Sequence, residues 1–307
     1  MHMRIAFVGL ETSHPFSDAR NLRALDPAVE LVACGRPGRM ASFAADNPST
    51  RVFPTVSEVL ASSPDVAIIS VRPEEVAAAL RAVCAAGVPV FINKPAAVTI
   101  AQVDEIEAIL RDATSAFLTG SVLSFAPAVA QASIERSQLV AVEATLRHDV
   151  SWWRDPAFAW QAAESGARGL VPVIGVHAFD VLASTVGEDF KVEAVQCGRR
   201  AYPELNGGDS AQLLLRFSDG LGATVSLIGA SNSERYAFEY HTATSTSTVS
   251  FPDDSADPFG YVAAASQILA LGRGEPAPRS WQHSLVVLRQ LSRAADLSRK
   301  NVFVAEQ

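Results

Sequence analysis

The sequence predicts an α/β fold in two parts. A doubly wound parallel sheet spans residues 1–120, and an α+β domain with an open, mostly antiparallel sheet spans residues 121–307. Three observations lead there. Up to Gly120, short apolar runs ending in turn residues alternate with amphipathic segments, at the pace of strand–helix–strand units. Beyond Gly120 the runs alternate apolar and polar residues, the pattern of strands with one buried face. The third is Gly169–Ala183, GLVPVIGVHAFDVLA, apolar enough for a buried helix. Two polar residues interrupt it, His177 and Asp180, which share one helical face with Val173 and Ser184. They are expected either to tie the helix to neighbouring backbone or to face a pocket.

In chain order, Arg4–Gly9 (RIAFVG) has the form of a buried parallel strand. Ser17–Leu25 follows as a helix with Pro15 near its first turn. Glu30–Cys34 is a strand, Gly35–Gly38 a turn, Met40–Ala45 a helix, and Thr55–Ala61 a short helix after Val52. Asp65–Val71 is a strand, and Pro73–Ala86 an alanine-rich helix closed by Gly87. Pro89–Ile92 and Ala116–Thr119 are strands flanking the helix Ile100–Arg111. This is a Rossmann-type alternation. In the second part, Val140–His148, Val192–Arg199, Ala211–Phe217, Gly222–Ile228 and Tyr236–Thr242 read as antiparallel strands. Ser218-Asp219-Gly220 is their hairpin turn. The buried helix packs on that sheet, and helices at Tyr261–Leu271 and Trp281–Ser298 close the chain.

The chain has 307 residues, 49% hydrophobic and 19% charged, enough apolar material for two cores. A net charge of -8 speaks against nucleic acid or an anionic membrane as partner. Three cysteines without C-x-x-C spacing fit a reduced compartment, not a disulfide framework or zinc site. The N-terminus enters a strand at once, leaving no room for a signal peptide. No apolar run reaches the roughly 18–20 residues of a membrane span. A cytoplasmic protein is expected. An apolar face on the open sheet would pair copies of the chain, so a homo-oligomer, dimer or tetramer, is expected too.

In a doubly wound fold the ligand sits beyond the carboxyl ends of the strands, at the first strand-to-helix turn. A dinucleotide-binding turn reads G-x-G-x-x-G, so that backbone can approach a pyrophosphate at the helix N-terminus. Here the turn is Gly9-Leu10-Glu11-Thr12-Ser13-His14. The first glycine stands, while Glu11 and His14 take the other two positions. A carboxylate beside a pyrophosphate is unfavourable unless it points away. Gly9, Thr12, Ser13 and His14 remain candidates for holding a phosphate, or Thr12 or Ser13 caps the helix. After the second strand an acidic residue would hold the ribose of NAD, but Arg36 and Arg39 follow Gly35. Arginine there suits a 2′-phosphate and favours NADP over NAD, unless both are solvated surface residues. Asn93-Lys94-Pro95 ends the fourth apolar strand, with Asn93 at the cofactor and Lys94 pointing into the cleft. Lys94 can give a proton or hydrogen bond to a substrate oxygen there.

A strand ending in E-K-P, a helix reading like AVTIAQVDEIEAI and a later G-V-H-x-x-D helix are hallmarks of the glucose–fructose oxidoreductase / inositol dehydrogenase / MocA family. This chain resembles that family over nearly its full length. Trp153-Arg154-Asp155-Pro156 and LLLRFSDGLGATVSL resemble it as well. The resemblance implies that Lys94 is the catalytic-site lysine and His177 the proton-transferring histidine. In hydride-transfer members these residues take the proton of a sugar or cyclitol hydroxyl while hydride leaves to nicotinamide. The chain departs from the pattern at Asn93 (for glutamate), at Glu11 and His14 (for glycines) and at Val173 (for aspartate). Trp153 and Arg154 are expected to line the sugar site, with buried packing as the alternative for the tryptophans. Asp180 meets substrate or anchors its helix. His14, His148, Asp149 and His177 lack metal-ligand spacing, so no metal site is expected. His241 reads as structural.

Three functions are open at this point. The preferred one is an NAD(P)-dependent dehydrogenase or reductase of a sugar, cyclitol or related polyol. The second is a lyase, epimerase or hydrolase using Lys94 and His177 without net redox. The third is a non-catalytic protein that binds a sugar or a partner.

Overall fold

The computed structural model describes residues 2–304. The chain divides into two compact units. The first runs to Ala97 and adds Ala101–Gly120 and Gly260–Leu285; the second takes Val98–Ile100, Ser121–Phe259 and the chain from Val286 on. The change of unit at Gly120/Ser121 falls where the sequence pattern changes. The return of Gly260–Leu285 to the first unit leaves no mark in that pattern.

In the first unit the elements are β1 (Arg4–Val8), α1 (His14–Leu25), β2 (Glu30–Cys34), α2 (Pro37–Asp46), β3 (Arg51–Val52), α3 (Val56–Ala61) and β4 (Val66–Ile69). Then come α4 (Val76–Ala85), β5 (Val90–Ile92), α5 (Ile100–Asp112) and β6 (Phe117–Thr119). The sheet is parallel, in the order β3-β2-β1-β4-β5-β6. Its order reverses between β1 and β4, the switch point where such sheets bind ligands. Strands β1, β2, β4, β5 and β6 are buried on both faces, as their unbroken apolar runs require, whereas the two-residue edge strand β3 is exposed. Helix α1 starts at His14, three residues before the apolar pattern, because Pro15 is accommodated in its first turn. Thr55 caps α3 in a capping box with Glu58. A 3-10 turn, Pro73–Glu75, precedes α4 and carries two carboxylates.

The second unit contains α6 (Pro127–Gln131), β7 (Leu139–Asp149), α7 (Leu170–Thr185), β8 (Phe190–Arg199), β9 (Ser210–Phe217), β10 (Gly222–Ile228), β11 (Ala230–Thr242) and β12 (Thr246–Phe251). The chain ends with α8 (Tyr261–Gly272), α9 (Trp281–Lys300) and β13 (Val302–Val304). Helix α8 packs on α1 within the first unit, and α9 leaves that unit at Leu285. The sheet order is β12-β11-β7-β10-β9-β8-β13. Not every strand is antiparallel: β10 runs parallel to β7, and β13 parallel to β8. Alternation fixes which face of a strand is buried but not the direction of its neighbour. The β9–β10 hairpin brings β10 beside β7, with no short connection between those two to force them antiparallel. Helix α7 lies on β7, β9 and β10, buried at every position from Leu170 to Ala183. Among the described residues no helix is long and apolar enough to cross a membrane.

Candidate active site

The first turn is held tightly. Gly9 has φ +81°, and its N–H donates to Cys34 O at 2.9 Å. A Cβ there would overlap the Val71 side chain and fall 2.8 Å from Ser70 O, so the turn admits only glycine. The Glu11 N–H donates to Ser70 O at 2.9 Å, and the Thr12 and Ser70 hydroxyls lie 3.0 Å apart. Arg39 donates to Leu10 O and Thr12 O, bracing the turn from α2. Arg39 is thus half-buried, with its guanidinium directed to the carbonyls of the turn. Ser13 is the N-cap of α1 yet makes no side-chain cap hydrogen bond, and it is exposed. Capping therefore does not consume its hydroxyl. His14 is buried in the first turn of α1, its ring 6.0 Å from that of Tyr261.

Glu11 is buried and points to two arginines. Its Oε1 lies 3.1 Å from Arg36 Nε and its Oε2 3.1 Å from Arg72 Nε. Arg36 also meets Glu75 at 3.0 Å. A cavity of about 580 Å³ opens here, lined among others by Gly9, Glu11, Gly35, Arg36, Thr55 and Glu75. Among the described lining residues three are carboxylates, Glu11, Glu74 and Glu75, and Arg36 is the cation. A nucleotide fits this place, since Gly9 keeps the backbone open and the two arginines neutralise Glu11. The cavity holds no surplus positive charge for an additional phosphate.

Asn93 is buried, and its Nδ2 donates to Asp18 Oδ2 at 3.0 Å. It reaches back to α1 rather than presenting its amide outward. Asp18 is buried as well, and burial pushes its carboxyl up to about 7 against the opposing pull of the Asn93 hydrogen bond. Lys94 follows at the carboxyl end of β5, half-buried, ahead of a cis peptide to Pro95.

In the second unit, His177 is 5% exposed on α7, and its Nδ1 lies 2.6 Å from Ser121 Oγ. Asp180 Oδ2 accepts the Ser121 N–H at 2.7 Å and lies 2.7 Å from Ser124 Oγ. Asp180 therefore anchors α7 to the Ser121–Phe125 turn, and at 2% exposure it offers little surface to a substrate. The His177 ring stacks on Tyr236 at 5.6 Å, and the His148 ring centre lies 6.3 Å from that of Tyr236, the two ring planes 16° apart. The Tyr236 hydroxyl donates to Glu234 at 2.6 Å and lies 2.8 Å from His148 Nδ1. Trp153 is fully buried in the core cluster and presents no exposed face. Arg154 is exposed, its guanidinium 5.1 Å from the centre of the Tyr202 ring.

Sequence reasoning missed Ser121, Asp18, Arg72 and Tyr236. Ser121 follows Gly120 at the end of the parallel pattern, a position from which it can turn toward the new unit. Arg72 and Asp18 carry no local motif. Glu143, Glu239 and His241 bring ligand atoms within 4.8 Å of one another, on residues of opposite parity to the buried Val142, Phe238 and Tyr240. That face is not the one carrying His177.

A parallel sheet with its nucleotide cavity at the switch point, followed by a mixed-sheet unit with a buried histidine helix, defines a two-unit dinucleotide-binding fold. Residues 3–121 match the model of the GFO_IDH_MocA oxidoreductase family, described as an NAD-binding Rossmann fold. The match covers the first unit, which thus resembles the NAD-binding Rossmann unit of that oxidoreductase family. No curated protein matches the chain. Among solved structures, GenD2 from gentamicin A biosynthesis in complex with NAD is similar at TM-score 0.83 and 19% identity, covering 98% of this chain and 95% of that one. Myo-inositol 2-dehydrogenase from Lactobacillus plantarum gives TM-score 0.80 at 16% identity, covering 98% of both chains. Scyllo-inositol dehydrogenase from Lactobacillus casei, with NAD(H) and scyllo-inositol, gives TM-score 0.80 at 13% identity, again over 98% of both. At such identities these likenesses concern the fold.

Proposed function

We propose that the chain is an NAD-dependent dehydrogenase of a sugar, cyclitol or related polyol, in which Lys94 and His177 attend the reacting hydroxyl. The observation that carries this reading is the 580 Å³ cavity at the switch point of the family's NAD-binding unit, with Gly9 at its floor. Gly9 and Ser13 meet the pyrophosphate, aided by the N-terminus of α1. Thr12 and His14 shape the turn behind it. A carboxylate for the ribose hydroxyls comes from Glu75, on the turn after β4, instead of from the end of β2. That substitution favours NAD. The NADP preference expected from Arg36 loses its footing, because Arg36 already pairs with Glu11 and Glu75. When bound, the nicotinamide supplies the hydride acceptor. Lys94 and His177 are the proton-transfer groups of the reaction. Asn93 keeps the Lys94 segment in register by its bond to Asp18. Arg154, the exposed member of its cluster, is a candidate for contacting polyol hydroxyls. Copies of the chain pair through the open sheet face, where Leu214 is exposed.

Titration of the cofactor-stripped protein with NADH and NADPH, read by nicotinamide fluorescence, tests this reading. Saturable NADH binding, retained in Lys94→Ala while polyol-dependent NADH formation is lost, is the expected result. No binding of either cofactor would return the choice to the non-redox alternatives.

A further inference from the structure

The Ser121 hydroxyl is fully buried, so water does not reach it. It accepts the Leu123 N–H at 3.1 Å, which occupies one lone pair. The Ser121 carbonyl lies 2.7 Å from Ser124 Oγ, and the Ser121 N–H is spent on Asp180. Among the described residues the hydroxyl hydrogen then has one acceptor within reach, His177 Nδ1 at 2.6 Å. A buried hydroxyl with a single acceptor donates to it, because leaving that hydrogen unmade costs about 1–3 kcal/mol. We infer that Ser121 is the positioning residue of His177: it donates to Nδ1 and so fixes the neutral imidazole as the tautomer with its proton on Nε2. Asp180 acts one step behind, gripping the Ser121 backbone N–H. Both come from the turn Ser121–Phe125, so α7 and its partner are locked as one assembly.

The chemical consequence concerns which group moves the proton. A histidine whose Nδ1–H is held by a carboxylate presents a bare Nε2 and acts as a base. In this chain the position four residues before His177 is the apolar Val173, 3% exposed, and the Nδ1 partner is a hydroxyl. Neutral His177 therefore offers Nε2–H, a hydrogen-bond donor for the substrate oxygen both as hydroxyl and as the carbonyl it becomes. Proton acceptance falls to Lys94. This division of roles rests on the dehydrogenase reading, whereas the tautomer itself does not.

The test is long-range proton–nitrogen NMR on the full chain labelled with nitrogen-15 at histidine, without substrate. It is recorded at about two pH units above the ordinary imidazole value of about 6.5. His177→Ala assigns the signal. The Nε2–H pattern is expected in the wild type and in Ser121→Thr, with loss of that preference in Ser121→Ala. A wild-type Nδ1–H pattern, or a Ser121→Ala spectrum identical to wild type in a protein melting at the same temperature, would overturn the inference. If Ser121→Ala does not fold, the wild-type and Ser121→Thr patterns still decide. Failure of the NADH titration with the Nε2–H pattern intact would overturn the dehydrogenase reading alone.

Discussion

The Glu11 carboxylate lies 3.1 Å from Arg36 Nε, and Glu75 meets the same guanidinium at 3.0 Å. An arginine placed to read a 2′-phosphate is thereby committed to two carboxylates, one of them buried. Binding NADP would break or crowd that arrangement next to Glu74. NADH is expected to bind at least about tenfold more tightly than NADPH, a gap of ~1.4 kcal/mol. Glu75→Gln removes one competing carboxylate and the ribose acceptor together. It should narrow the gap by weakening NADH and strengthening NADPH, which paired fluorescence titrations would read. An unchanged NADH/NADPH ratio in that variant would dissociate Glu75 from cofactor choice.

The turn itself can be probed at Gly9. With φ at +81° and the Ser70 carbonyl in the way, an added Cβ is strained by conformation and by contact. Gly9→Ala should cost about 2–4 kcal/mol in urea unfolding and abolish NADH binding. Gly38 is the control, because a Cβ there meets nothing within 4 Å in the first turn of α2. Gly38→Ala should be neutral or stabilising by up to about 1 kcal/mol. Equal losses at the two positions would mean that Gly9 is not special.

Asp18 predicts a pH dependence. Its carboxyl is raised from 3.8 to about 7 by burial, so the folded protein holds a proton that the unfolded chain releases near 3.8. The sign follows: the favourable contribution is complete below about pH 3.8 and is lost progressively as pH rises through about 7. Over that window the loss is on the order of 4 kcal/mol, at 1.36 kcal/mol per pKa unit. Asp18→Asn keeps the shape without the charge. It should raise the melting temperature most at pH 8, less at pH 5 and little near pH 3.8, and so flatten the pH profile of stability. A variant less stable than wild type at pH 8 would show that the ionised Asp18–Asn93 pair is favourable as it stands.

How far the sequence reaches depends on the range of the interaction involved. The parallel unit is legible because five of its six strands are continuous apolar runs, whereas the two-residue, exposed β3 leaves no such signal. The 3.6-residue spacing places His177 and Asp180 on one face without any structure. Strand direction in the second sheet is not legible, since β7 and β10 would alternate identically either way. Glu11 is visible as an anomaly in the turn, but its compensation comes from Arg72, sixty-one residues away, and leaves no local trace. Asn93 and Asp18 are likewise separated by seventy-five residues. Ser121 is ordinary in sequence and becomes informative only through its burial against His177 Nδ1.

Trp153 separates a packing role from a binding role. It is fully buried, and its Nε1 has no hydrogen-bond partner among the described residues. Trp153→Ala should cost about 3–5 kcal/mol, the range for emptying a large core site. Trp153→Phe loses volume but also removes an unpaired buried N–H, which itself costs about 1–3 kcal/mol. The two partly cancel, so its destabilisation should stay below about 1.5 kcal/mol. Its KM for any polyol the enzyme turns over should match wild type. Urea midpoints and initial-rate kinetics on the same preparations check both numbers. A several-fold rise in KM at near-native stability would instead restore the indole to the sugar site, and the packing account of this cluster would have to be given up.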